Sequence, residues 1–255
     1  MRAPLALRVV ERDLVTTRKL WLKGWVISSV VMPVLYLSAL GVGLGGAIEG
    51  DVGGVSYLHF LTPGLLCASL MQQAAGDSMW PVLGGLQWDG RYHAMTATPL
   101  APGDVHLAML LWTVLRTAAS GAIFLVIAAV LGGLVSPWAV LALPSGVLTA
   151  LAFSAVLSGF AIRQRSDDTL AVVFRLGIMP VFLFSGTFFP ISLLPAGLEP
   201  VAWVSPLFHG VELARHAATA DPHWLADLGH VAVLVLVIAA GAAWGRRGYE
   251  RRLTA

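Results

Sequence analysis

Residues 105–162 read VHLAMLLWTVLRTAASGAIFLVIAAVLGGLVSPWAVLALPSGVLTALAFSAVLSGFAI, and Arg116 is the one residue among them that carries a fixed charge. A membrane-spanning helix needs about 20 mainly apolar residues, because its backbone groups must hydrogen-bond internally where lipid excludes water. The stretch is long enough for two such helices. Four residues near its middle favour a turn over continued helix: Gly132, Gly133, Ser136 and Pro137. The segment predicts a membrane hairpin, with spans at 105–131 and 138–162.

Four more segments of the chain have the same apolar character. Runs of 25, 25 and 18 residues without Asp, Glu, Lys or Arg follow Lys23, Asp51 and Asp227. A fourth run of 23 residues follows Arg175, but Pro190 and Pro195 interrupt it. We therefore predict an all-α membrane protein with a single domain over 1–255 and six transmembrane helices. The spans outside the hairpin are placed at 26–48, 56–80, 169–190 and 228–246, and short re-entrant helices in the outer leaflet at 191–216.

The overall composition supports a membrane location. The chain is 57% hydrophobic and 12% charged, with a mean hydropathy of +0.80, whereas soluble domains are about 25% charged. Its basic residues are scattered along the polar joints and form no basic face, so no nucleic-acid partner is predicted. The single cysteine, Cys67, lies in an apolar run and is interpreted as a packing residue.

The first residues of the chain have an amphipathic pattern. Residues 3–23 intersperse leucines and valines with arginines and lysines, which predicts an interfacial helix on an anionic membrane surface. The alternative is a plain cytoplasmic tail. No A-x-A cleavage signature follows the next apolar run, so we expect the first span to be retained.

The distribution of basic residues predicts the orientation. If the predicted spans alternate, thirteen of the 16 basic residues fall in joints on the side of the N-terminus, and one, Arg215, falls on the opposite side. Cytoplasmic joints carry an excess of Lys and Arg. Both termini are therefore predicted to be cytoplasmic.

Two arginines, Arg116 and Arg175, fall inside predicted spans. A charge within a membrane is costly, so each is expected to snorkel or to pair, and Asp77 is a candidate partner. The alternative is that they line a cavity and meet an anionic headgroup or a sugar. These three residues are the candidate intramembrane site.

Several kinds of chemistry find no support in the sequence. The glycine-rich stretch GVGLGG at 41–46 lacks the lysine of a phosphate-binding loop, and no catalytic triad or paired-carboxylate set is apparent. His209, Glu212 and His216 have helical spacing, but no fourth ligand is evident. We predict no catalytic residues and no bound metal.

The joint at 82–104, VLGGLQWDGRYHAMTATPLAPGD, mixes aromatic and charged residues before two prolines. A short surface helix there would present aromatic side chains and charges to a cytoplasmic partner. An interfacial loop anchored by its aromatics in the headgroups is the alternative. The candidate contact residues are Trp88, Asp89, Gly90, Arg91 and Tyr92.

Three segments carry a resemblance to a known family. They are YLHFLTPGLL at 57–66, WDGRYHAMTATPLAPGD at 88–104, and FLFSGTFFPISLLPAGLEPVAWVSPLFHGVELAR at 182–215. The chain resembles the type-2 ABC exporter permeases, which include drug, polysaccharide and lipo-oligosaccharide exporters, and is similar to permeases of the nodulation-factor type. The third segment carries an exit-segment motif of Ser185, Gly186, Phe189, Pro190, Pro195 and Pro206.

The chain also departs from this family at the joint. Many relatives carry Glu where Asp89 stands, and a Gly-Thr pair where this chain has Tyr92 and His93. The resemblance nevertheless implies that 82–104 is the coupling region that meets the ATPase.

The resemblance implies a permease subunit in a bacterial plasma membrane that exports a lipophilic or glycolipid-type substrate. Its partners would be a separate ABC ATPase, which binds ATP and Mg, a second permease copy, identical or paralogous, and membrane lipid. This chain itself would bind no cofactor. The alternatives are a membrane-embedded enzyme acting on lipid or polyprenyl substrates, with His59, Asp77 and His209 as candidate groups, and an ion-coupled secondary transporter.

Overall fold

The structure is a computed structural model that describes residues 3–18, 25–47, 50–52, 54–195, 197, 199–219 and 223–254. Within these ranges every regular element is a helix, and an isolated bridge joins Val52 and Val55. The predicted all-α class is therefore confirmed.

The chain forms helices of very different length. In chain order they are α1 (Ala3–Arg18), α2 (Trp25–Tyr36) with a π-helical continuation (Leu37–Leu44) and a 3-10 turn (Gly45–Ala47), α3 (Tyr57–Gln87), α4 (Arg91–Thr96), α5 (Pro102–Val130), a 3-10 turn (Pro137–Leu141) leading into α6 (Ala142–Ala161), α7 (Asp168–Val173), a π-helical turn (Phe174–Ile178), α8 (Met179–Phe184), a 3-10 turn (Ile191–Leu193), α9 (Glu199–Val204), α10 (Pro206–Thr219) and α11 (Trp224–Leu253).

Four segments of the described chain are long and apolar enough to cross a membrane: Ser29–Ala47, Pro102–Val130, Pro137–Ala161 and Trp224–Leu253. They coincide with the predicted first, third, fourth and sixth spans. The predicted second span corresponds to α3, whose 31 residues include Gln72, Gln73 and Asp77. The predicted fifth span corresponds to the continuous helical run from α7 to α8.

Several helices have bounds that differ from those of the corresponding predicted spans, and α11 exceeds the predicted 228–246 at both ends. Helix α3 continues to Gln87, beyond the predicted end at 80. Helix α8 ends at Phe184, short of the predicted 190, because the chain turns at Gly186, whose φ is +80°. That backbone conformation is easily reached by glycine alone. The interfacial helix predicted at 3–23 is α1 as far as Arg18, and residues 19–24 lie outside the described ranges.

Helix α6 is the centre of the bundle and packs against α3, α5, α10 and α11. Small residues permit the close approach: a Cβ atom on Gly159 would lie 2.8 Å from the Cα atom of Gly245 in α11. Hydroxyl groups join neighbouring helices, since Ser154 lies 2.7 Å from Ser78 in α3 and 3.1 Å from Thr113 in α5. Small residues and hydroxyl pairs are typical of helix contacts within membranes.

Helix α1 lies against α5 and buries Ala6, Val9 and Val10, while Leu7 and Leu14 stay exposed. Helix α2 and the run from α7 to α8 lie at the edge of the bundle. Their large apolar side chains are mostly exposed, including Met32, Leu35 and Leu176. The bundle is therefore closely packed around α6 and open along α2 and α7–α8.

Candidate functional site

The main cleft of the molecule lies where the open edge meets the bundle. Its volume is about 640 Å³, and its walls come from α2, α3, α5 and the run from α7 to α8. Most of the lining is apolar, and its polar members are Ser29, Ser69, Gln72, Gln73, Asp77, Arg116 and Ser120. Largely apolar clefts with a few converging polar groups are typical of ligand sites.

An ion pair lies in the wall of this cleft. Arg116 of α5 donates from Nη1 to Oδ1 of Asp77 in α3 at 3.0 Å. The side chains are 19% and 23% exposed, respectively, so each keeps a small surface towards the cleft. A pair with limited access to water interacts more strongly than one on a protein surface. Asp77 and Arg116 thus supply a fixed dipole with polar groups available to a ligand.

The other intramembrane candidate, Arg175, is placed differently. It lies on the π-helical turn between α7 and α8, its side chain is exposed, and it is not part of the cleft lining. Within the described residues it has no hydrogen bond or ion pair. The structure therefore brings Asp77 and Arg116 together and leaves Arg175 on the outer surface of the edge.

The joint between α3 and α5 folds back on α3. Gly90 has a left-handed conformation with φ of +60°, which lets α4 start directly after the end of α3. Arg91 donates from Nη2 to the carbonyl oxygen of Pro81 at 3.1 Å. A Cβ atom on Gly85 would lie 2.9 Å from that nitrogen, so the absence of a side chain there makes room for Arg91.

The aromatic and acidic candidate residues of this joint differ in exposure. Trp88 is 63% exposed and Asp89 is exposed beside it. Tyr92 points inward and is 5% exposed, and its ring centroid lies 5.7 Å from that of Tyr249 in α11. Burial raises the pKa of the Tyr92 phenol. A partner can therefore touch Trp88 and Asp89 directly, but not Tyr92.

A basic groove runs beside the joint, between α1 and α4. Its volume is about 440 Å³, and Arg8, Arg12 and Arg91 surround a floor that includes Val9 and Met95. Asp13 lies in the same region of α1. Burial raises the pKa of its carboxyl, an effect that the neighbouring guanidinium groups oppose.

The exit-segment motif is held by hydrogen bonds to two helices, α3 and α10, and to Ser205 in the joint between α9 and α10. Ser185 donates to the hydroxyl of Ser205 at 2.9 Å, and Tyr57 of α3 donates to the carbonyl oxygen of Phe188 at 3.2 Å. Arg215 of α10 donates to the carbonyl oxygen of Gly186. The motif residues are thus held at the α3–α10 contact, with Ser185 and Gly186 buried, Phe189, Pro190 and Pro206 half-buried, and Pro195 exposed.

The histidines considered as ligands have separate partners. His209 Nδ1 lies 2.8 Å from Nδ1 of His230, Glu212 pairs with Arg215 at 3.0 Å, and His216 Nδ1 lies 2.6 Å from Oδ1 of Asp227. In the described part of the chain, no three His, Cys, Asp or Glu residues are placed to hold a metal ion.

Two of the three groups considered for an enzyme, His59 and Asp77, lie far apart. His59 and Asp77 lie on one continuous helix, and their separation along α3 is about 27 Å at the usual rise per residue. His59 contacts Ser56 and the carbonyl oxygen of Gly132 instead. General acid and base groups must both reach the reacting atoms, which this spacing prevents.

Sequence reasoning missed two features of the site. The amide side chains of Gln72 and Gln73 line the cleft. They were missed because they carry no charge, and only charged residues stand out within an apolar span. The contact between Tyr92 and Tyr249 was also missed, because the two residues are remote in the chain. The position of Gln73, one helical turn before Asp77, could have indicated that the glutamines line the same cleft.

The geometry defines a multi-helical membrane protein with a lateral cleft at one edge and a folded joint at one end. Comparison with known proteins identifies it further: the model of the family described as "ABC-2 type transporter" matches residues 10–218. The chain belongs to this family, and it is a multi-pass permease subunit of an ABC transporter. The resemblance found in the sequence is confirmed.

Several relatives carry the name Nodulation protein J. The one from Rhizobium leguminosarum bv. viciae is 31% identical over 84% of this chain and 82% of its own length. The one from Rhizobium leguminosarum bv. trifolii is 34% identical over 74% of this chain and 72% of its own length. That of Rhizobium meliloti (strain 1021) is 29% identical over 77% and 75%.

Proposed function

We propose that this chain is the membrane subunit of an exporter that moves a lipophilic or glycolipid-type molecule out of the cytoplasm or the inner leaflet. The observation that carries the proposal is the cleft at the α2 and α7–α8 edge. Its apolar walls suit acyl chains, and Asp77, Arg116 and the two glutamines offer hydrogen bonds to a polar head. Membership of the ABC-2 type transporter family supports the same reading.

We infer that α3 and the run from α7 to α8 also cross the membrane, which gives six spans. Helix α3 is about 46 Å long at 1.5 Å per residue, longer than the hydrocarbon core of a bilayer. The run from α7 to α8 is shorter, and the segment at 191–216 would return within the outer leaflet. The excess of basic residues on one side supports cytoplasmic termini. A reporter at the C-terminus that reads outside the cell would contradict this arrangement.

A second permease copy, identical or paralogous, would close the open side of the cleft. Exposed apolar side chains, such as those of Leu35 and Leu176, flank that opening. Apolar surface of this kind next to a binding cleft is typical of an interface between subunits. Two copies related by a twofold axis would place their clefts in one shared chamber, exposed to membrane lipid at its sides.

The ATPase would dock on the joint between α3 and α5. Trp88 and Asp89 project from it, and the arginine-lined groove between α1 and α4 lies beside it. ATP and Mg would bind to that separate subunit, since this chain carries no phosphate-binding loop motif. Closure of two ATPase subunits would move the joints and alternate the access of the chamber.

The substrate would leave past the exit-segment motif. Non-helical backbone near the membrane is tolerated where protein or water satisfies its polar groups. Tyr57 donates to the carbonyl oxygen of Phe188 and Arg215 to that of Gly186, and these bonds provide that partnership here. A second cleft of about 310 Å³, lined by Pro190 and Arg215 among others, lies beside the motif and would open towards the outer leaflet.

The test is reconstitution with a partner ABC ATPase that copurifies with this chain. Proteoliposomes that contain both subunits should move a fluorescent phospholipid or a labelled glycolipid only when ATP is supplied. The matched control replaces the phosphate-loop lysine of the ATPase, and the complex should then be inactive. Movement driven by a proton gradient without the ATPase would instead indicate a secondary transporter. Chemical conversion of the lipid by this chain alone would indicate an enzyme.

The docking residues have a separate test. The double charge reversal Asp89→Arg with Arg91→Asp should reduce copurification of the ATPase and abolish transport. The control variant His93→Gln changes an exposed neighbour on α4 without reversing a charge, and it should leave both unchanged. Unchanged association and transport in the double variant would contradict docking at Trp88 to Tyr92.

A further inference from the structure

Three rings pack against one another at tilted angles at the end of the bundle next to α4. Tyr249 of α11 is fully buried between Tyr92 of α4 and His106 of α5. Its ring centroid lies 5.7 Å from that of Tyr92 and 4.8 Å from that of His106. Three elements that are remote in sequence therefore meet at one side chain, and the contact is inaccessible to a docking partner.

Glycine backbone lies close against two rings of this cluster. A Cβ atom on Gly245, one turn before Tyr249, would lie 2.6 Å from the ring of His106. A Cβ atom on Gly85 would lie 3.0 Å from the ring of Tyr92. His106 Nε2 also lies 3.2 Å from the hydroxyl of Ser158 in α6. Interiors packed this closely transmit a displacement instead of absorbing it.

Helix α4 lies between this cluster of three rings and the exposed docking residues, Trp88 and Asp89. A displacement applied to Trp88 and Asp89 would move α4, and Tyr92 joins α4 to α11 through its contact with Tyr249. Helix α11 has 30 residues, and its second turn lies about 28 Å from Tyr249 along the helix axis. There His230 contacts His209 of α10, and α10 holds Gly186 of the exit segment through Arg215.

We propose that Tyr249 is a positioning residue that transmits movement of α4 to α11, and through α11 to the exit segment. This inference rests on the proposed function, because it requires an ATPase that moves α4. The transmitting feature is ring packing, so a phenylalanine at position 249 should serve as well. Tyr92 and His106 hold the ring of Tyr249 on its two sides.

The test compares Tyr249→Ala with Tyr249→Phe in the complete complex with its ATPase in proteoliposomes. ATP hydrolysis and transport are measured on the same sample. Tyr249→Ala should keep hydrolysis within about twofold and lose transport by about tenfold or more, within the usual range of coupling between sites. Tyr249→Phe should restore transport to within about twofold of the wild type. A purely structural role would lower both activities together with the yield of complex.

A second pair of variants addresses the case in which Tyr249→Ala does not assemble. Gly245→Ala pushes a methyl group against His106, whereas Gly229→Ala on the same helix meets no atom within 4 Å. Gly245→Ala should lower the amount transported per ATP, and Gly229→Ala should not.

Specific results would overturn the proposal. They are equal losses of hydrolysis and transport in Tyr249→Ala, no loss at all, or failure of Tyr249→Phe to restore transport. Equal transport per ATP in Gly245→Ala and Gly229→Ala would also overturn it. A wild-type complex that neither binds the ATPase nor transports would contradict the proposed function itself, and this inference with it.

Discussion

Two apolar segments of similar composition have opposite positions in this protein. In the segment of Pro137–Ala161 that contains α6, 50% of the most apolar stretch is buried within the chain, whereas in Ser29–Ala47, which contains most of α2, only 17% is buried. Helix α6 carries small and hydroxylated residues on its buried faces, among them Ser145, Thr149, Ser154 and Ser158. Helix α2 and its continuation carry large aliphatic side chains that stay exposed.

The difference shows how composition relates to position when lipid is the solvent. Lipid tails are as apolar as leucine, so hydrophobicity alone does not drive one membrane helix into the centre of a bundle. Close backbone approach and interhelical hydrogen bonds do so, and both require small or hydroxylated residues. Large side chains are left facing lipid or another subunit, which is where the cleft opens.

The largest expected effect comes from filling the contact between α6 and α11. Gly159→Val places a side chain 2.8 Å from the backbone of Gly245, which cannot move aside locally. We expect the free energy of unfolding to fall by about 3 kcal/mol, the upper part of the overpacking range. Thermal denaturation in detergent, followed by size-exclusion chromatography, measures it. Gly229→Val, at a position with open space, is the control, and equal losses in the two variants would contradict the close α6–α11 contact.

The next effect concerns the ion pair in the cleft wall. Arg116→Ala leaves the carboxylate of Asp77 partly buried without its partner, which should cost about 1–3 kcal/mol of stability and reduce transport. The double variant, Asp77→Ala with Arg116→Ala, should be more stable than the sum of the two single losses implies. A double-mutant cycle of denaturation temperatures tests this, and strict additivity would argue against coupling of the two groups.

A matched pair of leucines tests the comparison between the central helix α6 and the edge helix α2. Leu157 of α6 is buried, whereas Leu35 of α2 is 55% exposed. Leu157→Ala should lower stability by about 1–2 kcal/mol through lost packing, while Leu35→Ala should change it by less than about 0.5 kcal/mol. Leu35→Ala should instead weaken association of two copies, measured by crosslinking in membranes. A larger loss of stability in Leu35→Ala than in Leu157→Ala would contradict the distinction between α6 at the centre of the bundle and α2 at its edge.

The smallest effect is expected at Arg175. Its exposed side chain has no partner among the described residues of this chain, so Arg175→Gln should alter stability by less than about 0.5 kcal/mol. Transport should stay within about twofold of the wild type, a change of under 1 kcal/mol in the barrier. A large loss of transport without a loss of stability would indicate that Arg175 meets substrate or the second copy.

The predictions from sequence succeeded where a local property was sufficient. The hairpin at 105–162 was predicted from a long apolar stretch with a turn in its middle, and α5 and α6 have these positions. The helices do not end where the predicted spans do, since α3 extends past 80 and α8 ends before 190. Charge spacing does not show where a helix ends, because polar residues can continue a helix beyond its apolar run and a glycine turn can shorten it.

The arrangement of side chains across helices was beyond reach of the sequence. Arg116 and Arg175 were both predicted to lie within spans and either to snorkel, to pair or to line a cavity. In the structure Arg116 points towards Asp77, whereas Arg175 points outward. The difference depends on the rotation of each helix about its own axis. That rotation is set by neighbouring helices and not by the residues beside each arginine in the chain.

The sequence by itself determined that this protein is helical and apolar, because backbone groups in lipid must pair within a helix and this demands long uncharged runs. Three segments of the sequence also carry the resemblance to the ABC-2 permeases. The tertiary structure alone decided that α6 is central, that the cleft opens beside α2, and that Tyr249 lies between Tyr92 and His106. Those features depend on the fit of helix against helix, where a missing Cβ atom or a hydroxyl group selects one packing among many of equal hydrophobicity.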